Sequence, residues 1–218
     1  MSTARYHSPR RADAAAATRS AILAAARELF LTAGYADTTV PQIARAARVA
    51  VPTVYTSTGG KADILAALLM PVVGDPAVGE TRTALAAATD PVEVIRLTGE
   101  GVRLTHERHW DIVTRLFPQA QSEAAAAEVY QRILDTYQEA LGRTAERLDQ
   151  LGALKPGITV PEALDILWLY LGEGAWLALC RDRGWSLERA RDWLTAAAAA
   201  ALIERDPLRG AERVSSGG

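Results

Sequence analysis

The stretch TVPQIARAARVAVPTVYT, residues 39–56, decides the predicted fold, because it encodes two short helices joined by a tight turn. Thr39 and Gln42 have the spacing of a helix-capping box, in which each residue caps the other. The pattern predicts a break near residues 48–49 and a second short helix over residues 51–57. Helices this short bury too little surface to fold alone, so another helix must cover them.

The covering helix is predicted over residues 18–33. Its apolar residues recur at steps of three and four and form one face, comprising Ile22, Leu23, Ala26, Leu29 and Phe30. Gly34 then stands where a left-handed helix cap belongs. A fourth helix is predicted from Lys61 to about Met70, followed by a break over residues 71–79 that we take as the domain boundary.

Helical patterns continue to the end of the chain, over residues 90–117, 122–151, 159–182 and 186–204. We therefore predict an all-α fold, with an N-terminal three-helix helix-turn-helix DNA-binding domain and a C-terminal helical bundle for ligand binding and dimerisation. The predicted domains are a disordered arm (1–17), the DNA-binding domain (18–70), an effector-binding and dimerisation domain (71–206) and a flexible tail (207–218).

Charge is distributed unevenly along the chain, although the net charge is only −2. Residues 1–61 contain eight Lys or Arg against three acidic residues, whereas the remainder contains 16 basic and 23 acidic residues. A basic module joined to an acidic one indicates that the first part binds a polyanion.

Other features of composition favour a soluble cytoplasmic protein without membrane contact. Cys180 is the only cysteine, so no intramolecular disulfide can form. Residues 1–17 lack the apolar segment of a signal peptide, and we expect that no apolar run reaches the length needed to span a bilayer. We accordingly expect cytoplasmic localisation.

The second short helix is predicted to lie in the major groove of duplex DNA, which admits one helix. Thr53 and Tyr55 offer hydroxyls to phosphates, and longer side chains precede them on Gln42 and Arg45. Thr39 and Lys61 stand at helix N-termini, which favour anions. The complete predicted DNA-binding set is Thr39, Gln42, Arg45, Val51, Pro52, Thr53, Tyr55, Thr56 and Lys61.

The order of these signals resembles the tetracycline-repressor (TetR) family of bacterial transcription regulators. The matching segments are residues 22–30, Gly34-Tyr35, Thr38-Thr39-Val40, Ile43-Ala44, Val49, Thr53-Val54-Tyr55 and Lys61. The resemblance implies a homodimer that represses by binding a palindromic double-stranded DNA operator and is released by a small-molecule effector. It also implies that Thr39, Thr53, Tyr55 and Lys61 contact phosphates, while Gln42 and the start of the third helix read bases.

Three features depart from the family pattern. Arg48 stands where the turn usually has glycine, so an arginine must adopt a backbone conformation that glycine takes freely. Ala50 stands where serine usually caps the third helix, so that cap is missing. Ser57 and Thr58 replace a usual aromatic pair, which weakens the apolar anchor between the third and fourth helices.

The C-terminal helices contain most of the large aromatic residues, which either line an effector pocket or simply pack in the core. The candidate ligand-binding residues are Arg103, His106, Trp110, Phe117, Tyr137, Trp168 and Trp176. The helix over residues 159–182 is apolar nearly all round, so one side either meets a second subunit or lies in a large monomeric core. The candidate interface residues are Leu171, Ala175, Leu179, Trp193, Ala197 and Ala201.

Enzymatic signatures are weak, and we predict a protein that is not an enzyme and needs no cofactor or metal. His106 and His109 share a helix face, but no third ligand is evident from the sequence. No nucleophile elbow, P-loop or dinucleotide-binding fingerprint is present. The alternative hypothesis is an all-α small-molecule- or metal-binding enzyme whose N-terminal helices are only structural.

Overall fold

The computed structural model describes residues 9–204, with side chains from residue 12 onward. The residues of the predicted tail, 207–218, and the first eight residues of the predicted arm lie outside this range. Eleven helices are found in the described range: α1 (Pro9–Thr32), α2 (Val40–Ala46), α3 (Val51–Thr58), α4 (Lys61–Val73), α5 (Pro76–Ala87), α6 (Pro91–Asp111), α7 (Phe117–Ala120), α8 (Ala124–Gln150), α9 (Val160–Leu171), α10 (Glu173–Trp176) and α11 (Leu187–Leu202).

The helical segments over residues 112–116 and 177–182 are π-helical. Within the described residues, the extended structure is limited to one antiparallel bridge between Leu154 and Ile203. The predicted all-α fold class is therefore confirmed.

Packing divides the chain into two units. The first contains residues up to Gly74 together with His109–Ile133, and the second contains Asp75–Arg108 and the residues from Leu134 onward. The domain boundary predicted near residue 70 lies close to Gly74-Asp75, where the chain first passes from one unit to the other. Residues 109–133 pack with the first unit, although we assigned them from sequence to the effector domain.

In the first unit, α1 packs against α2, α3 and α4. The residues that it buries include Ile22, Ala26 and Phe30, which belong to the predicted apolar face. The prediction that this helix begins at Thr18 is wrong, because α1 begins at Pro9. Proline is tolerated in the first turn of a helix, and alanine favours helix formation. Residues 9–17 are therefore helical and form the N-terminal part of α1.

The predicted break over residues 71–79 is also wrong in extent. Helix α4 continues through Pro71 to Val73, since its buried face extends to Val72. Asp75 then caps α5, its Oδ1 accepting a hydrogen bond of 2.8 Å from the Ala77 N–H. Asp75-Pro76 is a local helix-start signal, an N-cap residue followed by proline, so the start of α5 was visible in the sequence.

The second unit has a core formed by α5, α6, α8, α9, α10 and α11, with Trp176 as its largest fully buried side chain. Two predicted helices are interrupted. Residues 112–116 form a π-helical turn, and Pro118 lies in the first turn of α7 instead of ending a helix. The helix predicted over residues 159–182 breaks at Gly172, where the backbone is extended.

The stretches Lys61–Ala87 and Val160–Asp182 are long and apolar enough to cross a membrane by length and composition. The prediction that no run reaches this length is therefore wrong. The first stretch is interrupted between α4 and α5 and the second at Gly172. Core helices of soluble proteins often meet the same criterion, so the stretches are weak evidence for membrane insertion.

Candidate nucleic-acid interface

Helix α2 begins with the predicted capping box. The Thr39 N–H and hydroxyl both donate to Gln42 Oε1, at 2.7 and 2.8 Å. The Gln42 N–H donates to Thr39 Oγ1 at 3.4 Å. The Gln42 side chain therefore fixes the start of α2 through its oxygen, while its amide nitrogen is a donor that the capping box does not use.

The turn between α2 and α3 is a Schellman motif built on a non-glycine residue. The Val49 N–H donates to the Ala44 carbonyl at 2.9 Å, and the Arg48 N–H donates to the Arg45 carbonyl at 3.1 Å. Arg48 has φ +56°, the left-handed conformation expected from the sequence. This conformation is unfavourable for residues with a Cβ, so the turn contains local strain.

Helix α3 begins at Val51 without a side-chain cap, as the alanine at position 50 predicts. Val54 faces the core, whereas Tyr55 is 54 % exposed and Pro52 and Thr56 are also exposed. Val51 and Thr53 are half-buried. The outer face of α3 thus presents hydroxyl groups and small apolar groups, which can contact phosphates and thymine methyls.

The C-terminal end of α3 is held by residues outside the predicted set. Arg19 on α1 donates to the Ser57 carbonyl oxygen at 2.5 Å. The buried Thr58 hydroxyl donates to the Val54 carbonyl at 2.9 Å. Arg19 lies 38 residues away from Ser57, so no local pattern in the sequence could identify this support.

Helix α4 begins beside the loop that follows α1. The Lys61 ammonium donates to the carbonyl oxygens of Tyr35 and Ala36, at 2.9 and 3.4 Å. It also lies 4.2 Å from the centre of the Tyr35 ring. Burial, followed by the nearby Glu123 carboxylate, raises the pKa of the Tyr35 hydroxyl well above its usual value. The Tyr35 hydroxyl therefore stays neutral, and the Tyr35 ring has a structural role in contact with the Lys61 ammonium.

The predicted ligand-binding residues are divided between the two units. Trp110 and Phe117 belong to the first unit, where the Phe117 ring packs edge-on against Tyr130. In the second unit the His106 ring stacks on Trp176, with centroids 5.2 Å apart. Tyr137 packs edge-on against Trp168. These four residues form an aromatic group inside the second unit, whereas Trp110 and Phe117 lie elsewhere.

The guanidinium group of Arg103 is surrounded by carboxylates. It forms ion pairs with Glu100, Glu107 and Glu188, and Glu100 also pairs with Arg191 on α11 at 2.7 Å. The hydrogen bonds from Arg103, followed by those from Arg191, lower the pKa of Glu100 to about 2. Arg103 therefore joins α6 to α11, an arrangement the sequence pattern did not indicate.

The interruption at Gly172 leaves the Leu171 carbonyl without a helical partner. Tyr137 donates its hydroxyl hydrogen to this oxygen, and the Trp176 indole N–H donates to it at 3.1 Å. A Cβ at position 172 would lie 2.3 Å from the Trp168 carbonyl oxygen, so only glycine fits. Leu171, which we selected as an interface residue, is itself fully buried in the core. Its side chain is therefore not accessible to a second subunit.

The remaining candidate interface residues lie nearer the surface. Trp193 is 52 % exposed, while Ala175, Leu179, Ala197 and Ala201 are half-buried. Helices α9 and α11 pack against each other, and α9 also exposes Leu169, which we did not select from the sequence. The α9 and α11 surfaces therefore each display one large apolar side chain.

The histidines and one surface groove bear on the alternative hypothesis of an enzyme. Within residues 9–204, no group of three or more His, Cys, Asp or Glu side chains is arranged to hold a metal ion. His106 Nδ1 lies 2.9 Å from the Val102 carbonyl oxygen, and His109 lies at a kink in α6. A groove of about 500 Å³ along α8 is lined by Asp135, Glu139 and Glu146 and by none of the predicted ligand residues.

The three-helix arrangement of α1 to α3 with an exposed α3 defines a helix-turn-helix DNA-binding module attached to an all-α unit. Residues 22–68 match the family model described as bacterial regulatory proteins, tetR family. The resemblance found in the sequence is therefore confirmed over the helix-turn-helix module, whose residues 22–68 have the sequence pattern of TetR-family DNA-binding transcription regulators.

Solved structures share the fold over most of the chain. NalD, the secondary repressor of the MexAB-OprM multidrug efflux pump in Pseudomonas aeruginosa, is 29 % identical and has a TM-score of 0.70. That similarity covers 88 % of this chain and 99 % of NalD. FadR from Bacillus subtilis, solved with stearoyl-CoA, is 20 % identical with a TM-score of 0.67, covering 84 % and 98 %.

SmeT from Stenotrophomonas maltophilia, solved with triclosan, is 23 % identical and has a TM-score of 0.67, covering 87 % of this chain and 93 % of SmeT. No curated protein matches the chain significantly. FadR is described as a transcriptional regulator, and NalD and SmeT are described as repressors of multidrug efflux pumps.

Proposed function

We propose that this regulator is a cytoplasmic repressor that binds a palindromic operator as a homodimer and leaves it when a small, partly hydrophobic effector binds the second unit. The observation that carries the proposal is the exposed outer face of α3, held at one end by the Schellman turn and at the other by Arg19. A rigidly supported helix with exposed hydroxyls suits docking in a major groove.

We assign phosphate contacts to Thr39, Thr53, Tyr55 and Lys61, and base contacts to Gln42, Arg45 and the start of α3, namely Val51, Pro52 and Thr56. Lys61 has three ammonium hydrogens, of which two are directed to the carbonyls of Tyr35 and Ala36, so one remains for a phosphate. Few long side chains lie on α3, so DNA shape contributes to specificity together with Gln42 and Arg45.

Dimerisation is supported by the apolar side chains exposed on α9 and α11, Leu169 and Trp193. Large exposed apolar groups on neighbouring helices are typical of a protein interface, and tryptophan often contributes much of the binding energy. Two copies of the module also match the two half-sites of a palindrome.

We assign the effector to the aromatic group of His106, Tyr137, Trp168 and Trp176 in the second unit. An apolar site with a few polar groups is the usual form of a small-molecule pocket. The repressor role draws on NalD, and the structures of FadR with stearoyl-CoA and SmeT with triclosan support a ligand with a hydrophobic part. No catalytic step is part of this proposal.

The proposal is tested by incubating the protein with sheared genomic DNA from its source and sequencing the retained fragments. We expect enrichment of fragments that share a palindrome, binding that weakens steeply with salt, and two protomers for each site. A thermal-shift screen of metabolites, repeated on the DNA complex, then identifies compounds that stabilise the protein and release DNA. Failure to enrich any fragment would contradict the proposal.

A further inference from the structure

Arg48 lies in the turn between α2 and α3 and has a left-handed backbone conformation, with φ +56°. Among the described residues it is the only one other than glycine with a positive φ. A residue with a Cβ is disfavoured in this conformation, which glycine adopts freely. Strained backbone of this kind is concentrated at functional sites. We therefore expect the strain at Arg48 to be offset by something that the arginine side chain contributes.

The Arg48 side chain contributes nothing to the folded chain that would offset this strain. It is exposed, and its guanidinium group has no hydrogen bond or ion pair with any residue in the part of the chain that the structure describes. By contrast, Arg27, Arg103 and Arg191 each pair with a carboxylate. The hydrogen bonds of the turn join main-chain atoms, so glycine at this position would form them equally well.

The sequence around Arg48 carries only positive charge. Residues 38–62 contain Arg45, Arg48 and Lys61 and no acidic residue. Arg45 is also exposed, and no carboxylate among the described residues pairs with it. Guanidinium groups that no carboxylate neutralises give this surface a positive potential, which favours the binding of a polyanion.

Arg48 lies between the two helices of the proposed DNA interface. Arg45 is three residues before it, and α3 begins three residues after it at Val51. The Schellman turn fixes the backbone of Arg48 relative to both helices. Phosphates line both sides of the major groove, so a long cationic side chain next to the start of α3 can reach one when α3 lies in the groove.

We infer that Arg48 binds a backbone phosphate of the operator beside the N-terminal end of α3, and that the turn keeps a strained arginine for this contact. The inference rests on the proposed function and adds a residue outside the predicted DNA-binding set. A guanidinium group binds phosphate oxygens through paired N–H donors, and a lysine ammonium supplies the same charge. Position 48 thus favours affinity for DNA at the expense of stability.

The test measures the binding of an enriched genomic fragment by fluorescence anisotropy between about 50 and about 300 mM salt. Arg48→Gln removes the charge and keeps the Cβ, whereas Arg48→Lys keeps both. Arg48→Gly removes the charge and relieves the backbone strain. The matched control is Arg82→Gln, which removes an exposed arginine from the second unit. The melting temperature of each variant is measured alongside.

One phosphate contact contributes about 0.9 to the slope of log Kobs against log salt. We expect Arg48→Gln and Arg48→Gly to lower the slope by about 0.9 for each protomer and to weaken binding roughly tenfold. Arg48→Lys should keep the slope, and the control should match the unmodified protein. Arg48→Gly should also melt at a higher temperature than Arg48→Gln, so its loss of affinity cannot result from unfolding.

Two results would overturn this inference alone. The first is an unchanged slope and affinity in Arg48→Gln. The second is a loss of affinity confined to Arg48→Gly, because flexibility of the turn and not the charge of Arg48 would then be responsible. Absence of DNA binding by the unmodified protein overturns the proposed function instead.

Discussion

The ammonium of Lys61 lies 2.9 Å from the carbonyl oxygen of Tyr35 and 4.2 Å from the centre of the same residue's ring. One side chain therefore joins the start of α4 to the loop after α1, while the family resemblance assigns it to phosphate binding. The two roles are compatible, because an ammonium group has three donors. They nevertheless predict different consequences for stability and for DNA binding.

Replacing Lys61 by methionine should affect both properties. The loss of a charge-assisted hydrogen bond and a cation–π contact should lower the free energy of unfolding by about 1–2 kcal/mol, measured by urea denaturation. The loss of a phosphate contact should lower the salt slope of DNA binding by about 0.9. A variant that loses stability but retains the full slope would restrict Lys61 to the structural role.

Replacing Arg48 by glycine should stabilise the protein. Glycine adopts φ +56° without a steric penalty, so we expect the free energy of unfolding to rise by about 0.5–1 kcal/mol. Arg48→Ala is the matched control, because alanine removes the charge and keeps the Cβ that makes this conformation unfavourable. Equal stability of the two variants would show that the turn is not strained by its side chain.

Replacing Tyr137 by phenylalanine should weaken the second unit. The Leu171 carbonyl would keep only its hydrogen bond from Trp176, so the free energy of unfolding should fall by about 1 kcal/mol. In a chain of this size the melting temperature should fall by about 2–4 °C, measured by calorimetry. An unchanged melting temperature would mean that the Tyr137 hydroxyl contributes nothing to stability.

The stability of the second unit should depend on pH through Glu100. Its pKa is lowered to about 2 by the hydrogen bonds from Arg103 and then Arg191. The contribution of this carboxylate is thus complete above its ordinary value of 4.5 and disappears as the pH falls toward 2.

We therefore expect Glu100→Gln to be less stable than the unmodified protein at pH 7, with the difference shrinking between pH 4.5 and pH 2, measured by denaturant unfolding. Glu139→Gln is the control, since Glu139 pairs with Arg143 at the surface. A difference that stays constant with pH would mean that Glu100 is not held as a carboxylate by its arginines.

Replacing Leu169 by lysine should separate the proposed dimer. Leu169 is 68 % exposed, so the variant should fold normally while a charge is placed in the apolar contact between protomers. Val92→Lys is the matched control, because Val92 is also an exposed apolar residue of the second unit. Sedimentation should give a dimer for the control and a monomer for Leu169→Lys, and dimers for both would locate the interface elsewhere.

Several elements were predictable because their signals are local. The capping box at Thr39 follows from two residues within one helical turn, and the missing cap at Ala50 and the left-handed Arg48 follow from comparing single positions with the family pattern. The same holds for the short helices that form the DNA-binding module. Helix caps and turn residues that interact within one helical turn can be recognised from the sequence alone.

Other elements could not be predicted, because they depend on partners far apart in the chain. Three such contacts join distant residues: Arg19 with Ser57, Glu100 with Arg191, and Tyr137 with the Leu171 carbonyl. The continuation of α4 through Pro71 depends on buried residues on both sides of the proline. In this case tertiary packing overrides a local helix-breaking signal.

The central claim, that the exposed face of α3 binds duplex DNA, is tested most directly at Tyr55. The dissociation constant of an enriched genomic fragment is measured for the unmodified protein and for Tyr55→Ala at the same salt concentration. Because Tyr55 is 54 % exposed, the variant should keep its helicity and melting temperature. We expect binding to weaken by roughly tenfold, as for one phosphate-directed hydrogen bond of about 1.4 kcal/mol. Unchanged affinity in a folded Tyr55→Ala variant would contradict the claim.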